Sequence, residues 1–238
     1  MPVDVLAIAA HRDDVELTCA GTLLKAVDAG YRTGILDLTA GETGTRGSAS
    51  LRAEEAGKAA RVLGVTERRN AGLPDAHLQN SEEARKVVVG EIRHFAPRIV
   101  ILPFPVGRHP DHRIASELGR DSCFLAGLAR YDAPGAPHRP AKILYALSYR
   151  EDPVKPTFVV DISGQFDRKM EAIRCYASQF DGATAAGEIF PTGQDLYSLV
   201  ATQNAHYGSL IRTRYGEPFY THETVRVDDV VGLEVQSM

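Results

Sequence analysis

Short apolar runs alternate with amphipathic stretches along the first half of the chain, and this alternation constrains the fold more than any other feature. Residues 5–10 form an apolar run that is long enough for a buried strand and too short for a helix. Residues 14–29 then place apolar side chains at helical spacing, and Gly30 follows as a usual helix stop. Three further pairs repeat this order, and they predict strands over residues 34–38, 68–71 and 98–102 and helices over residues 50–63, 81–95 and 111–129. Ser50 is the predicted N-cap of the second helix, with Gly64 just past its end.

This alternation predicts an α/β fold, in which helices cover both faces of a mostly parallel central sheet and form a three-layer sandwich. Beyond residue 130 the pattern is less regular, and we expect strands over 143–147 and 157–160 and helices over 165–176 and 197–214. Residues 133–140 form a turn-rich connector, but the chain beyond it is too short for an independent domain. At 238 residues, we therefore expect one domain over residues 1–238.

Charge and composition exclude several classes of partner. The net charge of −4 gives no general attraction to nucleic acid or to acidic membranes. The sequence has no run of 18 apolar residues and no N-terminal pattern of a signal peptide, so we expect neither a transmembrane helix nor export. Cys19, Cys123 and Cys175 are odd in number and far apart, which suits neither a disulfide framework nor a CxxC metal site. These features predict a cytoplasmic protein.

Two polar clusters follow predicted strands. Residues 11–14 (His-Arg-Asp-Asp) come directly after the first strand, and residues 108–112 (Arg-His-Pro-Asp-His) follow the fourth. Ligands of open α/β sheets bind beyond the carboxyl ends of the strands, where the strand order reverses. If the order follows the Rossmann pattern 3-2-1-4, strands one and four are neighbours at that point. The two clusters then meet in one crevice despite their separation in sequence.

The residue types in these clusters suit a metal ion. Histidine and aspartate supply the nitrogen and oxygen donors that zinc accepts, and a catalytic zinc takes three protein ligands and keeps one open position for water. One ligand set is His11, Asp14 and His112. We therefore expect a Zn²⁺ cofactor.

Three residues of the clusters remain for other roles. Asp13 is adjacent to Asp14 but points elsewhere on a helix start, so it is a candidate general base for the water. His109 is a candidate for stabilising a developing oxyanion or protonating a leaving amine. Asp111 can orient a histidine ligand from behind.

Each cluster alone also has a structural explanation. His-x-x-Asp at a helix start commonly serves as a cap, and His-Pro-Asp-His can be a polar turn. Two such clusters at the ends of two strands favour a functional site. The glycine-rich residues 41–47 lack the GK[ST] ending of a phosphate-binding loop and predict an active-site loop or a plain turn. Arg52, at the start of the second helix, is either a solvated charge or a substrate clamp.

The clusters resemble the LmbE/PIG-L family of zinc-dependent N-acetylglucosaminyl deacetylases, and most closely its bacillithiol-biosynthesis branch. The family pattern AHPDD-x-E appears at residues 10–16 as AHRDDVE, and the HPDH motif is intact at residues 109–112. Weaker similarity extends over most of the chain, through residues 37–39, 41–42, 51–55, 60–64, 73–75 and 176–180.

The resemblance implies a Rossmann-like fold, one zinc ion and deacetylation of an N-acetylglucosamine conjugate. By position it implies His11, Asp14 and His112 as metal ligands, Asp13 as the general base and His109 as the histidine beside the oxyanion. It further implies a substrate-binding arginine at Arg52, assisted by Arg108. It also implies a homo-oligomer, since relatives in this branch are hexamers.

Two positions depart from the family pattern. Arg12 replaces the proline, which puts a bulky cation beside the ligands and leaves the preferred substrate open. The family also uses a tyrosine from the C-terminal part near the oxyanion, and Tyr197 is the nearest candidate here.

Two rival functions fit parts of this pattern. Two histidines and one carboxylate are also the ligands of non-haem iron oxygenases, although the spare carboxylate Asp13 favours hydrolysis. A non-catalytic metal- or sugar-binding protein is the second rival, and the presence of both Asp13 and His109 argues against it. The identity of the aglycone and of the physiological metal stays open at this point.

Overall fold

The computed structural model describes residues 2–147, 154–181 and 195–235, which form a sheet between two layers of helices. The strands in this part of the chain are β1 (Val5–Ala9), β2 (Thr33–Thr39), β3 (Glu67–Leu73), β4 (Ile99–Pro103), β5 (Lys142–Ala146), β6 (Phe158–Asp161) and β7 (Gly216–Tyr220). The helices are α1 (Asp14–Thr18), α2 (Ala20–Asp28), α3 (Ala49–Leu63), α4 (Glu82–Phe95), α5 (Pro110–Ala126), α6 (Phe166–Arg174), α7 (Ala177–Phe180) and α8 (Leu196–Leu210). None of the described helices combines the length and the apolar character needed to cross a membrane.

The strand order is β3-β2-β1-β4-β5-β7-β6. The first five strands run parallel, while β7 runs antiparallel to both β5 and β6. The predicted α/β sandwich with a mostly parallel, Rossmann-like sheet is therefore confirmed, including the order 3-2-1-4. The order reverses between β1 and β4, where a ligand crevice is expected in sheets of this kind.

Helices bury both faces of the sheet, and each face has its own apolar core. Under α4 and α5 the core contains Leu6, Ile8, Val88, Ile92 and Leu118 among others, all of them buried. The opposite core, under α2, α3 and α6, is built from smaller strand residues, which include Ala7, Ala9 and Ala146. Both faces of β1 are therefore inaccessible to water, and only its carboxyl end opens towards a ligand.

The predicted helix over residues 14–29 is in fact two helices that break at Cys19. The break has a tertiary cause. The carboxylate of Glu217, on β7, accepts hydrogen bonds from the backbone N–H groups of Gly21 and Thr22 at 2.8 and 2.7 Å, which caps α2 as a separate helix. Lys169 pairs with the same carboxylate at 2.7 Å and donates to the Leu17 carbonyl at 3.0 Å, at the end of α1. Periodicity alone could not show this contact.

The N-cap predicted at Ser50 is wrong. Helix α3 begins at Ala49, and Ser48 is its N-cap, with the side chain accepting a hydrogen bond from the Leu51 N–H at 3.2 Å. Both serines precede the same apolar pattern, so spacing did not distinguish them. The predicted end is confirmed, because Gly64 adopts φ = +66°, in the left-handed region that glycine accepts readily.

Strand β7 was not predicted, and the last predicted helix extends too far, since α8 ends at Leu210. The sequence of β7 contains Pro218 and the charged Glu217, which are unusual in an interior strand. Glu217 is nonetheless fully buried, because Lys169 and the start of α2 satisfy its charge. Tertiary pairing overrides local propensity at this strand.

Candidate active site

The two polar clusters meet at the carboxyl ends of β1 and β4, as predicted. The strands are paired neighbours, with Ala7 opposite Ile101. The chain turns after β1 into α1, which begins at Asp14, and after β4 it runs through an exposed loop into α5. Both helices therefore begin at this edge, and their first turns carry Asp14 and His112.

The donor atoms of three residues from the two clusters lie at nearly equal distances from one another. His11 Nδ1 lies 3.4 Å from Asp14 Oδ2 and 3.3 Å from His112 Nε2, and His112 Nε2 lies 3.2 Å from Asp14 Oδ1. A zinc ion binds histidine and carboxylate donors at about 2.0–2.1 Å in a tetrahedral arrangement, in which neighbouring donors are about 3.3 Å apart. The spacing and the chemistry of His11, Asp14 and His112 therefore fit a tetrahedral metal ion with one remaining position.

A second set of possible ligands, His11, His109 and Asp111, also satisfies a loose distance criterion. In this set Asp111 faces Nε2 of His11, a nitrogen that also has Asp75 as a partner. His11 Nε2 lies 3.1 Å from Asp75 Oδ1 and 3.4 Å from Asp111 Oδ2. Carboxylates at this distance fix the tautomer of a histidine whose opposite nitrogen binds a metal. The arrangement favours His11 Nδ1, with Asp14 and His112, as the metal-binding set.

The pKa values of the three donors show how strongly they interact. Burial opposes charge on each of them, but the imidazoles of His112 and His11 hold the pKa of Asp14 well below its usual range. In return, the Asp14 carboxylate overcomes burial and raises the pKa of His11 to about 9, and it also raises the pKa of His112. An anionic Asp14 thus stabilises positive charge at the position where a cation fits.

Asp13 lies beside this set and faces a different partner. Its Oδ2 accepts a hydrogen bond from Arg52 Nη2 at 3.2 Å. Arg52 is buried, donates from Nη1 to the Gly41 carbonyl at 3.1 Å, and has no hydrogen-bond partner for Nε among the described residues. The structure therefore brings Asp13 and Arg52 together, and the guanidinium fixes the orientation of the carboxylate.

His109 is exposed, at the mouth of the crevice. Its ring centroid lies 4.6 Å from that of His112 and 4.8 Å from that of His11. Burial and the nearby imidazoles of His112 and His11 lower its pKa. His109 Nδ1 accepts a hydrogen bond from the Asp111 N–H as the N-cap of α5, so the proton of the neutral ring lies on Nε2.

Asp111 is buried, and Arg108 is exposed on the rim of the loop after β4. Asp111 Oδ2 accepts a hydrogen bond from the Ala76 N–H at 2.8 Å and faces His11 Nε2. The contact with His11 is compatible with the orienting role predicted for Asp111, which stays a prediction. The Arg108 carbonyl accepts from Arg113 Nη1 at 3.4 Å.

Tyr197, predicted to lie near the oxyanion, has its described contacts elsewhere. Its hydroxyl donates to Asp181 Oδ1 at 2.8 Å, and the Arg174 guanidinium lies 5.7 Å from its ring centroid. Burial and the Asp181 carboxylate raise its pKa to about 12. Among the residues that the structure describes, the contacts of Tyr197 are therefore with Asp181 and Arg174 and not with the metal-binding set.

Asp75 was not among the predicted site residues, although residues 73–75 are part of the resemblance. Asp75 is buried at the end of β3, its Oδ1 faces His11, and its Oδ2 accepts hydrogen bonds from Thr43 N and Oγ1 at 2.9 and 2.6 Å. The Asp75 N–H donates to the Glu42 carboxylate at 2.9 Å. The glycine-rich residues 41–47 therefore hold Asp75 in place, which identifies them as part of the site. The feature of the sequence that could have identified Asp75 is its position, because it is a carboxylate that closely follows a third strand, β3.

A buried charged network, also without a predicted role, supports the loop after β1. Arg68 donates to both oxygens of Asp37, at 2.8 and 2.9 Å, and to Glu16 at 2.6 Å. Arg68 and the hydroxyl of Tyr176 both donate to the carbonyl of Arg12. Burial raises the pKa of Glu16 to about 7, against the opposing effect of Arg68. The backbone between His11 and Asp13 is thus held from the interior of the protein.

The side chain of Arg12, which stands where the family has proline, reaches away from the three donors. Its Nη1 donates to the Ala49 carbonyl at 2.6 Å and lies 3.5 Å from the Ala40 carbonyl. Arg12 therefore links the loop after β1 to the start of α3 and to the glycine-rich loop, and it does not compete for the metal-binding set.

A family profile and a similar protein of known activity both point to de-N-acetylases. The sequence profile of the PIG-L family, described as GlcNAc-PI de-N-acetylase, matches residues 6–123. Diacetylchitobiose deacetylase from Thermococcus kodakarensis is 31% identical over 232 residues, which span 90% of this chain and 80% of that protein.

Solved structures support the same grouping. The conserved protein TT1542 from Thermus thermophilus has a TM-score of 0.85 and 35% identity, covering 95% of this chain and 98% of that one. N,N'-diacetylchitobiose deacetylase from Pyrococcus horikoshii, complexed with its inhibitor MPG, has a TM-score of 0.77 and 29% identity, covering 91% and 82%. The similarity spans both clusters and most of the chain.

Proposed function

Since this chain belongs to the PIG-L family of de-N-acetylases, we propose that it hydrolyses the acetamide of an N-acetylglucosamine conjugate with the help of a zinc ion. The observation that carries the proposal is the set of donors on His11, Asp14 and His112, separated by 3.2–3.4 Å, with a second carboxylate, on Asp13, beside them and bonded to Arg52. A purely metal-binding protein has no need of that carboxylate.

His11, Asp14 and His112 would hold the metal, with Asp75 and Asp111 orienting His11 from its Nε2 side. When bound, a zinc ion supplies Lewis acidity, which polarises an amide carbonyl and lowers the pKa of a bound water to about 7. Zinc is our proposal over iron or cobalt because the donor spacing matches a tetrahedral site and hydrolysis needs no redox change.

Asp13 serves as the general base in this proposal. It accepts a proton from the attacking water, whose oxygen forms a bond to the acetyl carbon while the carbon–nitrogen bond breaks. The proton is then delivered to the departing nitrogen, so that the products are acetate and the free amine of the sugar. Arg52, bonded to Asp13 Oδ2, holds the carboxylate in position.

In this proposal His109 serves as the proton and hydrogen-bond donor at the mouth of the site. Because Nδ1 accepts the Asp111 N–H, the ring can present an Nε2 proton to the oxygen of the acetyl group as negative charge develops on it, or to the leaving nitrogen. Its exposed position suits a group that contacts substrate.

The substrate is a small amino-sugar conjugate, and an acidic aglycone of the bacillithiol-pathway type is our specific proposal. Arg108 on the rim and the guanidinium of Arg52 would bind such a carboxylate, because arginine forms paired hydrogen bonds with carboxylates. Tyr197 is the proposed third substrate contact. We further propose a homo-oligomer, with a hexamer as the specific expectation, which the solution mass from light scattering would check.

Metal content and amine release together test the proposal. The purified protein should contain about one zinc per chain, and His112→Ala should lose it, whereas His138→Ala, far from the donor set, should keep it. Zinc-loaded protein should release amine from N-acetylglucosamine malate faster than from N-acetylglucosamine or diacetylchitobiose. Equal zinc content in the two variants contradicts the ligand set. Oxygen consumption by an iron-loaded protein without amine release supports the oxygenase, and sugar binding without turnover supports the non-catalytic rival.

A further inference from the structure

A narrow apolar cavity opens beside the metal-binding set. Its volume is about 100 Å³, and Asp14 and His112 line one end of it. Val106, which is 53% exposed, lies at the same end on the loop after β4, so the cavity begins at the crevice and runs inwards. The deep end lies among buried residues of the core under α2, α3 and α6.

Small side chains on β1 and β5, the two strands that flank β4, create this space. Ala7 and Ala9 on β1 and Ala146 on β5 line it, and each is at most 3% exposed. Ile101 on β4 completes the floor, and Cys19 contributes to the wall. Protein interiors are normally packed with few voids larger than a water molecule, so an apolar cavity that ends at two candidate ligands calls for a functional explanation.

The dimensions and the lining define what can occupy the cavity. A water molecule takes about 30 Å³ of liquid volume, and dry apolar cavities of about 150 Å³ bind benzene. A volume of 100 Å³ therefore holds about three carbon groups. Water is a poor occupant because the walls, apart from Asp14 and His112, offer mainly aliphatic side chains. Burial raises the pKa of the Cys19 thiol, so this wall is neutral as well.

We propose that this cavity is an acyl subsite, which receives the alkyl part of the scissile N-acyl group. The inference rests on the proposed function, because the acyl carbonyl must sit at His11, Asp14 and His112 for its alkyl chain to reach the cavity along the side that Asp14, Val106 and His112 line. An acetyl group places a single methyl in the cavity and leaves most of it empty. The subsite therefore accepts acyl groups of up to four carbons, with N-butyryl as the best fit.

Straight-chain carboxylates test the subsite without requiring turnover. Acetate, propionate, butyrate and hexanoate are titrated into the zinc-loaded protein by calorimetry. Each added methylene that enters the cavity should tighten binding about fourfold. Butyrate should therefore bind at least about tenfold more tightly than acetate, and hexanoate should bind no more tightly than butyrate. Affinity that is flat or falls from acetate to butyrate overturns the proposal.

A matched pair of variants locates the effect. Ala146→Val fills part of the cavity and should reduce the preference for butyrate over acetate by about tenfold. Ala59→Val adds the same group to an equally buried alanine of the same core that does not line the cavity, and it should keep the preference. The preference is a ratio, so a partly unfolded variant still reports it. If Ala146→Val does not fold, the carboxylate series of the unmodified protein decides alone.

Turnover of N-acetyl-, N-propionyl- and N-butyrylglucosamine separates the subsite from the proposed function. The unmodified protein should hydrolyse the butyryl amide with kcat/KM at least equal to that of the acetyl amide, and Ala146→Val should lower the ratio about tenfold. Hydrolysis of the acetyl amide alone contradicts the subsite and leaves the deacetylase standing. A rising carboxylate series without hydrolysis of any amide contradicts the deacetylase, and the cavity is then a binding site for short alkyl chains and not an acyl subsite.

Discussion

The loop after β1 and the loop after β4 serve one site, but the protein holds them very differently. The carbonyl of Arg12, in the first loop, accepts hydrogen bonds from two buried side chains, Arg68 and Tyr176. The second loop is exposed at Val106, Arg108 and His109, and the bonds described for its last residues come from the first turn of α5. Groups that must keep their spacing thus have buried support, and groups that must meet a substrate are left accessible.

The metal-binding set follows the same division. His11 and Asp14 belong to the supported segment, and His112 is on helix α5, not in the exposed loop itself. His109 is the residue of the second cluster that projects from the mouth. This comparison implies that changes around the first loop alter metal binding and rate, whereas changes at Arg108 in the second loop alter mainly the choice of substrate.

The largest expected effect tests the separate roles of two neighbours in the first loop. Asp13→Asn should lower kcat by about 10²–10⁴-fold, because a positioned general base contributes that much. It should keep its zinc, since Asp13 bonds to Arg52 and not to the donor set. Zinc content by elemental analysis and kcat on the same samples check both statements.

Asp14→Asn is the matched comparison, since the same chemical change one residue later removes a ligand. It should weaken zinc binding itself, and added zinc should restore part of the activity. If Asp13→Asn is purified without metal, or Asp14→Asn is fully loaded and inactive, the two roles must be exchanged.

The second prediction concerns the carboxylates behind His11. Asp75→Asn should weaken zinc binding about 10–100-fold, because it removes the charge that orients His11 from Nε2 at 3.1 Å. Asp111→Asn should also weaken zinc binding, but by a smaller factor. Asp111 Oδ2 lies 3.4 Å from His11 Nε2, and it also accepts a hydrogen bond from the Ala76 N–H. Competition with a chelator measures the affinities. Asp28→Asn, an exposed change on α2, is the control, and an effect of Asp75→Asn no greater than that of this control would refute the orienting role.

Much of this arrangement could be predicted from the sequence, and the part that could not depends on contacts over long distances in the chain. Alternating strands and helices predicted the sheet order and hence the meeting of residues 11–14 with residues 108–112. Asp75 and Tyr176 were not predicted because no local pattern shows which carboxylate or hydroxyl faces a given loop. The break at Cys19 was missed for the same reason: its cause, Glu217, lies about 200 residues further along the chain.

The third prediction tests the buried support directly. Tyr176→Phe removes the hydroxyl that donates to the Arg12 carbonyl and to Glu16. Both acceptors keep Arg68 as a donor, so no group is left without a partner, and the loss should be about 0.5–1.5 kcal/mol of unfolding free energy. Chemical denaturation of the metal-free protein measures it.

Tyr197→Phe provides the control for this measurement. Its hydroxyl bonds to Asp181 near the surface, so the change in unfolding free energy should stay within about 0.5 kcal/mol. As a positioning residue, Tyr176 should also affect the site, and Tyr176→Phe should bind zinc several-fold more weakly while Tyr197→Phe binds it normally. Equal zinc affinities in the two variants would limit Tyr176 to a role in stability.

The smallest effect is expected at the tip of the exposed loop. Arg108→Gln removes a charge on the rim while leaving the donor set untouched. An exposed ion pair contributes about 0.2–1 kcal/mol, which corresponds to a rise in KM of about 1.4- to 5-fold for an acidic conjugate such as N-acetylglucosamine malate. The neutral diacetylchitobiose should show no change, and kcat should be unaffected for both substrates, because Arg108 lies on the exposed rim of the loop after β4. In 1 M salt the difference between the variant and the unmodified protein should disappear, since the screening length falls to about 3 Å. A similar rise in KM for both substrates, or one that persists in high salt, would mean that Arg108 shapes the loop and does not bind charge.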